Sequence, residues 1–438
     1  MPKTPLGSIL ALALLLRIAA VPAVHVVQYT SDEREYLHMA RQLLDRGMFE
    51  DSNGDRAIRA PLFPLFLAGL IAVFGERLFV LHLAGCLLGT VGVWLVYILA
   101  MRLWADYRGA LCAAAIAALY PGLIVYSALL QTETLYGVLF LLVFLCFYSL
   151  SASPRLSIAV LCGVLCGLAA LTRAVFAGFI PVLLLIMMWQ QKDRLRRILP
   201  AAALILLSAG LTIAPWSLRN AALFGHVVPI ASGGGNSLLT GNNPYAVGTY
   251  RVREGFDEWF REQAAARGVT DPSVLDETQR SDLSARIAVG YVTSHPVDAF
   301  LLSCKKSYIF WVYPILHTDS WPAAQAIAVG ADGLLLILCV VGVTGMWFLR
   351  GRLLPVYAAI GFFWLVQAVL HAESRFRLPL IPLFAVMGGW GAVILWRTER
   401  VKRLLAHRGS RTALAVSLAG VLALYAVTGV LYLTGIVR

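Results

Sequence analysis

Apolar runs of about 20 residues recur along this chain, and a run of that length crosses a ~30 Å hydrocarbon layer as a helix rising 1.5 Å per residue. Such runs leave little freedom, because lipid offers no hydrogen-bond partner to an open backbone. The chain therefore reads as an all-α polytopic membrane protein. Its 438 residues are 59% hydrophobic and only 14% charged, against roughly 25% charged in a soluble protein. The formal net charge of +12 suggests nucleic acid at first sight, yet the basic residues sit mostly in short loops between apolar runs, as the positive-inside rule expects. Of the cysteines only Cys304 lies in a more polar segment, and their spacing matches neither a disulfide framework nor a zinc site.

The first span runs from about Gly7 to Val27, with Lys3 before it and an acidic segment after it. That charge order puts the N-terminus inside and the next loop outside. No A-x-A-like cleavage site precedes the polar flank, so the span is expected to be a retained helix. The first outer loop covers residues 28–76. In it Tyr36, Met39, Ala40, Leu43 and Leu44 recur at helical spacing, with Arg34, Glu35, His38 and Arg41 on the other face. This predicts an interfacial helix starting near Asp32.

The apolar run Pro61 to Phe74 is short for a span, and orientation decides its reading. If it crossed, the basic clusters Lys192 to Arg197 and Arg397 to Arg411 would fall outside; if it is interfacial or re-entrant, both fall inside. The interfacial choice leaves about eleven spans, at roughly 7–27, 77–101, 109–127, 134–151, 157–172, 174–190, 198–217, 323–349, 354–370, 378–396 and 412–435. Residues 218–322 form a long outer loop. It opens with Gly233-Gly234-Gly235-Asn236 and Gly241-Asn242-Asn243-Pro244, which suit tight turns, and continues with amphipathic helical patterns near 255–267 and 275–294 and a third begun by Pro296. Residues 1–438 are expected to form a single transmembrane domain with no separate soluble C-terminal domain.

Ionisable residues cluster toward the outer side. Asp32 and Glu33 serve either as helix N-terminal charges or as a general base and its neighbour. Arg56 and Arg59 are membrane-interface anchors or ligands for an anionic head group. Glu133 and Arg173 fall at the outer ends of two spans, where they line a polar cavity or form a structural ion pair. His371, Glu373, Arg375 and Arg377 precede Pro379 as a phosphate site or a solvated turn, and Lys305 and Lys306 follow His295-Pro296 on an amphipathic pattern. Gly163 and Gly167, a G-x-x-x-G pair, predict close helix packing. The Gly-rich loop near 233–241 lacks the Lys-Ser/Thr of a nucleotide-binding loop, and no D-x-D element for metal-bound nucleotide sugars is present.

These pieces carry a resemblance. Asp32-Glu33-x-x-Tyr36, Arg59-x-Pro61-Leu62-Phe63-Pro64, Gln131-Thr132-Glu133-Thr134-Leu135 and Gly167-Leu168-Ala169-Ala170-Leu171-Thr172-Arg173 are followed by Pro215-Trp216-Ser217-Leu218-Arg219-Asn220, Gly241-Asn242-Asn243-Pro244, His295-Pro296 and Arg375-Phe376-Arg377-Leu378-Pro379. In that order they resemble a GT-C glycosyltransferase of the dolichyl-phosphate-mannose protein mannosyltransferase type (glycosyltransferase family 39), whose bacterial relatives include the aminoarabinose transferase that modifies lipid A. The resemblance covers most of the chain. It implies an inverting transfer from a polyprenyl-phosphate sugar to an acceptor hydroxyl on a glycolipid, envelope glycan or protein. Asp32 would be the catalytic base and Glu33 a supporting acid. Tyr36, Arg56, Arg59, Glu133, Arg173, Asn242, Lys305, Lys306, His371, Arg375 and Arg377 would bind substrate.

The same resemblance puts the chain in a bacterial inner (plasma) membrane, its site facing the periplasm or exterior, with the lipid bilayer as a partner; the placement of the basic residues in short loops argues against nucleic acid. It assigns no certain cofactor and leaves a divalent cation open. Relatives commonly have Lys-Pro-Pro where this chain has Arg59-Ala60-Pro61, and many carry a further soluble domain, so the acceptor stays open. The reading from another class is a transporter or flippase of a lipid-linked glycan. It would want ionisable residues through the depth of the spans, whereas those above gather on one side.

Overall fold

The computed structural model describes residues 5–27, 31–312, 322–345, 350–397 and a few positions between 411 and 419. Its described secondary structure is almost wholly helical. Helix α1 (Pro5–Val27) is followed by α2 (Ser31–Arg46), which begins as the acidic pair predicts, with Asp32 and Glu33 in its first turn. Carboxylates there face the positive end of the helix dipole. Tyr36, Leu37 and Ala40 of α2 pack against Phe63, Leu67 and Ala68 of α3 (Leu62–Phe74). The rings of Tyr36 and Phe63 meet edge to face at 5.1 Å. Leu44, assigned by its spacing to the apolar face, is instead exposed.

Helix α4 (Leu78–Trp104) leads to α5 (Tyr107–Leu119) and α6 (Pro121–Ala128). The sequence suggests one straight span over 109–127, but the two helices are bent by 55°. Pro121 is the reason, since it has no N–H to offer the preceding turn and its ring obstructs continuation. Arg17, buried on α1, donates to the Ala117 and Ala118 carbonyls at the end of α5 (3.3 and 3.4 Å). Carbonyls left open by the break thus gain a cationic donor.

The bundle continues through α7 (Thr132–Ala152), α8 (Leu156–Thr172), α9 (Phe176–Gln190) and α10 (Leu195–Phe224). The glycine pair does what its spacing predicts. A Cβ on Gly163 would strike Ser208 Oγ and the Ile205 carbonyl, and one on Gly167 would lie 2.6 Å from Thr212 Cβ, all on α10. Gly163→Val is therefore expected to lower stability by about 1–3 kcal/mol through overpacking, read as a melting shift in detergent. Gly210→Val is its control, because nothing lies within 4 Å of a Cβ at Gly210.

Helix α10 runs past the expected loop start at 218 to Phe224, and the segment after it holds α11 (Gly234–Gly241), α12 (Phe256–Ala265), α13 (Glu277–Ser294) and α14 (Pro296–Val312). The first Gly-rich stretch is thus helix from Gly234 onward, whereas the chain turns at Asn242 to Tyr245 as its Asn-Asn-Pro predicts. The glycines of α11 are needed for contact, since a Cβ on Gly235 would strike the Ser281 backbone and one on Gly241 the Leu370 carbonyl. Last come α15 (Pro322–Gly345), α16 (Arg350–Val369), a 3₁₀ helix over Ser374–Leu380, and α17 (Ile381–Trp396). Among the described residues seven helices are long and apolar enough to cross a membrane, or eight if the bent pair counts as one span. The chain is an integral membrane protein. The expected span at 412–435 lies outside the described residues, apart from a few positions near its start.

Candidate active site

The first turn of α2 places Asp32 between two cations from distant parts of the chain. Arg59 Nη2 lies 2.9 Å from Asp32 Oδ1, and Arg375 Nη1 lies 2.6 Å from Oδ2. One turn along α2, Tyr36 takes a hydrogen bond from Arg59 Nη1 (3.3 Å) and sets its ring 5.1 Å from that guanidinium. Arg375 also reaches Gln131 Oε1 at 3.4 Å. Asp32 remains partly accessible. Burial opposes its ionisation, but Arg375 and Arg59 outweigh that cost and hold its carboxyl below the usual carboxylate range.

Glu33 points elsewhere. It is 2% exposed and accepts the Leu130 backbone N–H at 2.7 Å, tying α2 to the segment between α6 and α7. That segment carries Gln131, Thr132 and Glu133. Glu133 Oε1 pairs with Arg173 Nη2 at 2.6 Å, and Arg173 Nε donates to Thr132 Oγ1 at 3.2 Å. Glu133 and Arg173 thus form an ion pair, and Glu133 also lines a mostly apolar cavity with Tyr126, Thr134, Gly137, Leu378 and Pro382. Phe376 joins the two ion pairs, its ring 4.9 Å from the Arg173 guanidinium and 5.6 Å from that of Arg375.

Other candidates do not join the cluster. The Arg56 side chain comes no nearer an acid than 3.7 Å, to Glu50, while its backbone N–H and that of Ala57 donate to Glu277. Ser232 Oγ donates to the same carboxylate at 2.8 Å, so Glu277 pins the Arg59 loop to the long outer loop. Lys306 is fully buried. Its ammonium donates to the carbonyls of Gly241, Val369 and Leu370 and to Asn242 Oδ1, at 2.9–3.2 Å. Burial among these neutral acceptors lowers its pKa to about 8. Lys306 and Asn242 thus hold α11, α14 and the end of α16 together.

Lys305 is half-buried beside the Gly248 turn, where burial and then Arg253 lower its pKa. His371 packs its ring 5.8 Å from that of Phe376, and burial lowers its pKa. Arg377 is 3% exposed and faces away from Asp32, pairing with Asp332 at 2.7 Å and donating to the Phe310 and Trp311 carbonyls. Gln131 and Phe376 stand within motifs that assign them no role of their own, and Glu277 and Asp332 carry no local signal at all.

Two kinds of comparison bear on this geometry. The sequence profile of the dolichyl-phosphate-mannose-protein mannosyltransferase family matches residues 58–217. The archaeal oligosaccharyltransferase AglB from Archaeoglobus fulgidus, solved with an inhibitory peptide and a dolichol-phosphate, superposes with a TM-score of 0.56 at 14% identity, over 97% of this chain and 55% of that one. The chain shares the overall fold of that oligosaccharyltransferase. Similar sequences include the undecaprenyl phosphate-alpha-4-amino-4-deoxy-L-arabinose arabinosyl transferase of Pseudomonas aeruginosa strain UCBPP-PA14, 33% identical over 209 residues, which are 45% of this chain and 37% of that protein. The enzyme of the same description from Erwinia tasmaniensis is 32% identical over 155 residues, 34% of this chain and 28% of its own length. The chain thus spans well under half the length of the curated relatives it matches. Asp32 lies outside the profile match, whereas Arg59, Glu133 and Arg173 lie within it.

The A. fulgidus oligosaccharyltransferase has also been solved with Zn and sulfate. Among the described residues of this chain no three His, Cys, Asp or Glu side chains converge as metal ligands. Both oxygens of Asp32 face guanidinium groups, a surrounding that does not fit a resident cation.

Proposed function

We propose that this protein is an inverting glycosyltransferase that moves a sugar from a polyprenyl-phosphate donor to an acceptor hydroxyl at the extracytoplasmic face of a bacterial inner membrane. The observation that carries the proposal is Asp32, a partly accessible carboxylate clamped by Arg59 and Arg375 in the first turn of α2. Relatives named for transfer from an undecaprenyl-phosphate sugar support the donor class. Residues 1–438 act as one GT-C domain, with its outer segments at 28–76 and 218–322. The eleven-span reading counts the seven long helices, the bent pair, α8, α9 and the run at 412–435.

The donor phosphate draws on the cations that hold Asp32. Guanidinium groups bind phosphate oxygens through paired, charge-assisted hydrogen bonds, so an arriving phosphate competes with Asp32 for Arg375 and Arg59. Asp32 is then freed to take the proton of the acceptor hydroxyl while that oxygen bonds the anomeric carbon. The bond from that carbon to the phosphate oxygen breaks, and its electron pair leaves on polyprenyl phosphate. Arg375 and Arg59 stabilise the charge that gathers there. Arg173 and Glu133 support the wall beside Phe376. No step runs through a metal ion, since a divalent cation would have to displace a guanidinium from Asp32 or arrive with the phosphate.

Arg375→Gln is expected to weaken donor binding by about 1.5–3 kcal/mol, measured by titration with a polyprenyl-phosphate sugar; unchanged affinity removes Arg375 from the phosphate site. The whole reading is tested in membranes loaded with labelled donor. Release of polyprenyl phosphate with transfer to an acceptor supports it. Movement of intact donor between leaflets without release means a flippase instead.

A further inference from the structure

Beyond Asn243 the chain turns back on itself, Ala246 pairing with Val252 in an antiparallel bridge around Gly248 at φ 94°. The turn rests on α14, where a Cβ on Gly248 would lie 3.0 Å from Ile309 Cδ1. It is also fastened to the segment that carries Arg375. Ala372 N donates to the Gly248 carbonyl at 2.9 Å, and Tyr250 N donates to Glu373 Oε1 at 3.3 Å. Above this contact the Tyr250 side is open, the residue being 56% exposed, with the Arg251 guanidinium 5.8 Å from its ring.

Glu373 is the carboxylate the mechanism above does not use. It stands two residues before Arg375, is half-buried, and among the described residues makes no ion pair. An anion is costly to keep there without a strong partner. The charges of Arg375, Arg251 and Asp32 all act on it, and it acts in turn on Tyr126, so it belongs to the electrostatic neighbourhood of Asp32.

We propose that Glu373 and Tyr250 form the acceptor subsite, and that the acceptor it takes is a hydroxyl-rich glycan, not a protein side chain. The inference rests on the glycosyl-transfer reading and deepens it. A sugar ring offers adjacent hydroxyls that donate to both oxygens of one carboxylate, and an apolar C–H face that lies on an aromatic ring. A lone serine or threonine hydroxyl delivered to Asp32 would leave Glu373 with only the Tyr250 N–H and the charges of Arg375 and Arg251. The Asp32 charge acts on Glu373, and Arg375, two residues on, pairs with Asp32, so a glycan held at Glu373 would sit beside the Asp32 side of the site.

Burial is the main influence holding the Glu373 carboxyl above the usual range. Asp32 adds to it, while Tyr250 N, Arg375 and Arg251 oppose it. Glu373 therefore takes up its proton at a higher pH than an ordinary glutamate, and its acceptor strength falls on mild acidification. Asp32, held low, stays ionised through the same window.

The test measures acceptor KM and donor Kd for the full-length protein in membranes, with three probes: a disaccharide glycolipid in vesicles, a free oligosaccharide and a serine/threonine peptide. Glu373→Gln and Tyr250→Ala should each raise the glycan KM roughly tenfold or more with donor Kd unchanged, and Tyr250→Phe should keep the wild-type KM. The wild-type KM should climb on mild acidification, and that climb should flatten in Glu373→Gln. Use of the glycolipid alone identifies a lipid-borne glycan, and use of both sugars a glycan in general. Transfer with unchanged KM in both variants, or transfer to the peptide alone, overturns the subsite but leaves glycosyl transfer standing. No transfer by the wild type to any probe removes both.

Discussion

Asp32→Asn is expected to lower sugar transfer by about 10²–10⁴-fold, the usual cost of removing a general base, while donor binding persists. The amide keeps the size of the carboxylate and can still accept from one guanidinium. It can neither take a proton at neutral pH nor hold Arg59 and Arg375 by charge. Those cations lie 2.9 and 2.6 Å from the carboxylate, and once released from it they are freer to meet a phosphate. Donor affinity should therefore stay level or tighten as turnover collapses, a split between Kd and kcat that a misfolded variant would not give.

The pH dependence follows from the sign of the shift. A depressed carboxyl pKa keeps the base ionised from neutrality down through the ordinary carboxylate range, and its contribution is lost only as pH falls through the lowered value. Glu33→Gln should be milder, because an amide oxygen can still accept the Leu130 N–H. Near-normal transfer by a folded Asp32→Asn protein would move the base elsewhere, with Glu33 and then Glu133 to be tested next.

Local pattern and long-range pairing account for what the sequence could and could not reveal. The α2 helix was legible because an acidic first turn and a 3.6-residue apolar period are both local signals, and Gly163 with Gly167 were legible because small residues one turn apart imply a close neighbour. The break at Pro121 was written in one residue but hidden by apolar continuity on both sides. Arg375 and Arg377 could not be told apart by spacing. Two residues apart in a 3₁₀ helix, they diverge, and their carboxylates come from opposite ends of the chain, Asp32 and Asp332. Lys306 was misleading for a related reason. Its acceptors are mainly backbone carbonyls at the ends of α11 and α16, and nothing in their side chains advertises them.

Arg377→Met and Asp332→Asn are each expected to destabilise the folded protein by about 3–5 kcal/mol, because each leaves the other member of a buried pair without its counter-charge. Arg377 is 3% and Asp332 5% exposed, and the pair joins three parts of the bundle: Asp332 on α15, Arg377 on the 3₁₀ helix, and Tyr120 at the α5/α6 break, whose hydroxyl donates to Asp332. The double variant Arg377→Met/Asp332→Leu should recover much of the loss, since an apolar pair needs no compensation. Melting in detergent measures stability, and donor titration on the folded fraction separates this role from the one the sequence suggested. A phosphate-binding Arg377 would be freed by Asp332→Asn and bind donor more tightly. An Arg377 that braces the helix carrying Arg375 gives a less stable protein whose folded molecules bind donor much as before. Wild-type stability with weakened donor binding in Arg377→Met would return Arg377 to the phosphate site and leave its contact with Asp332 incidental.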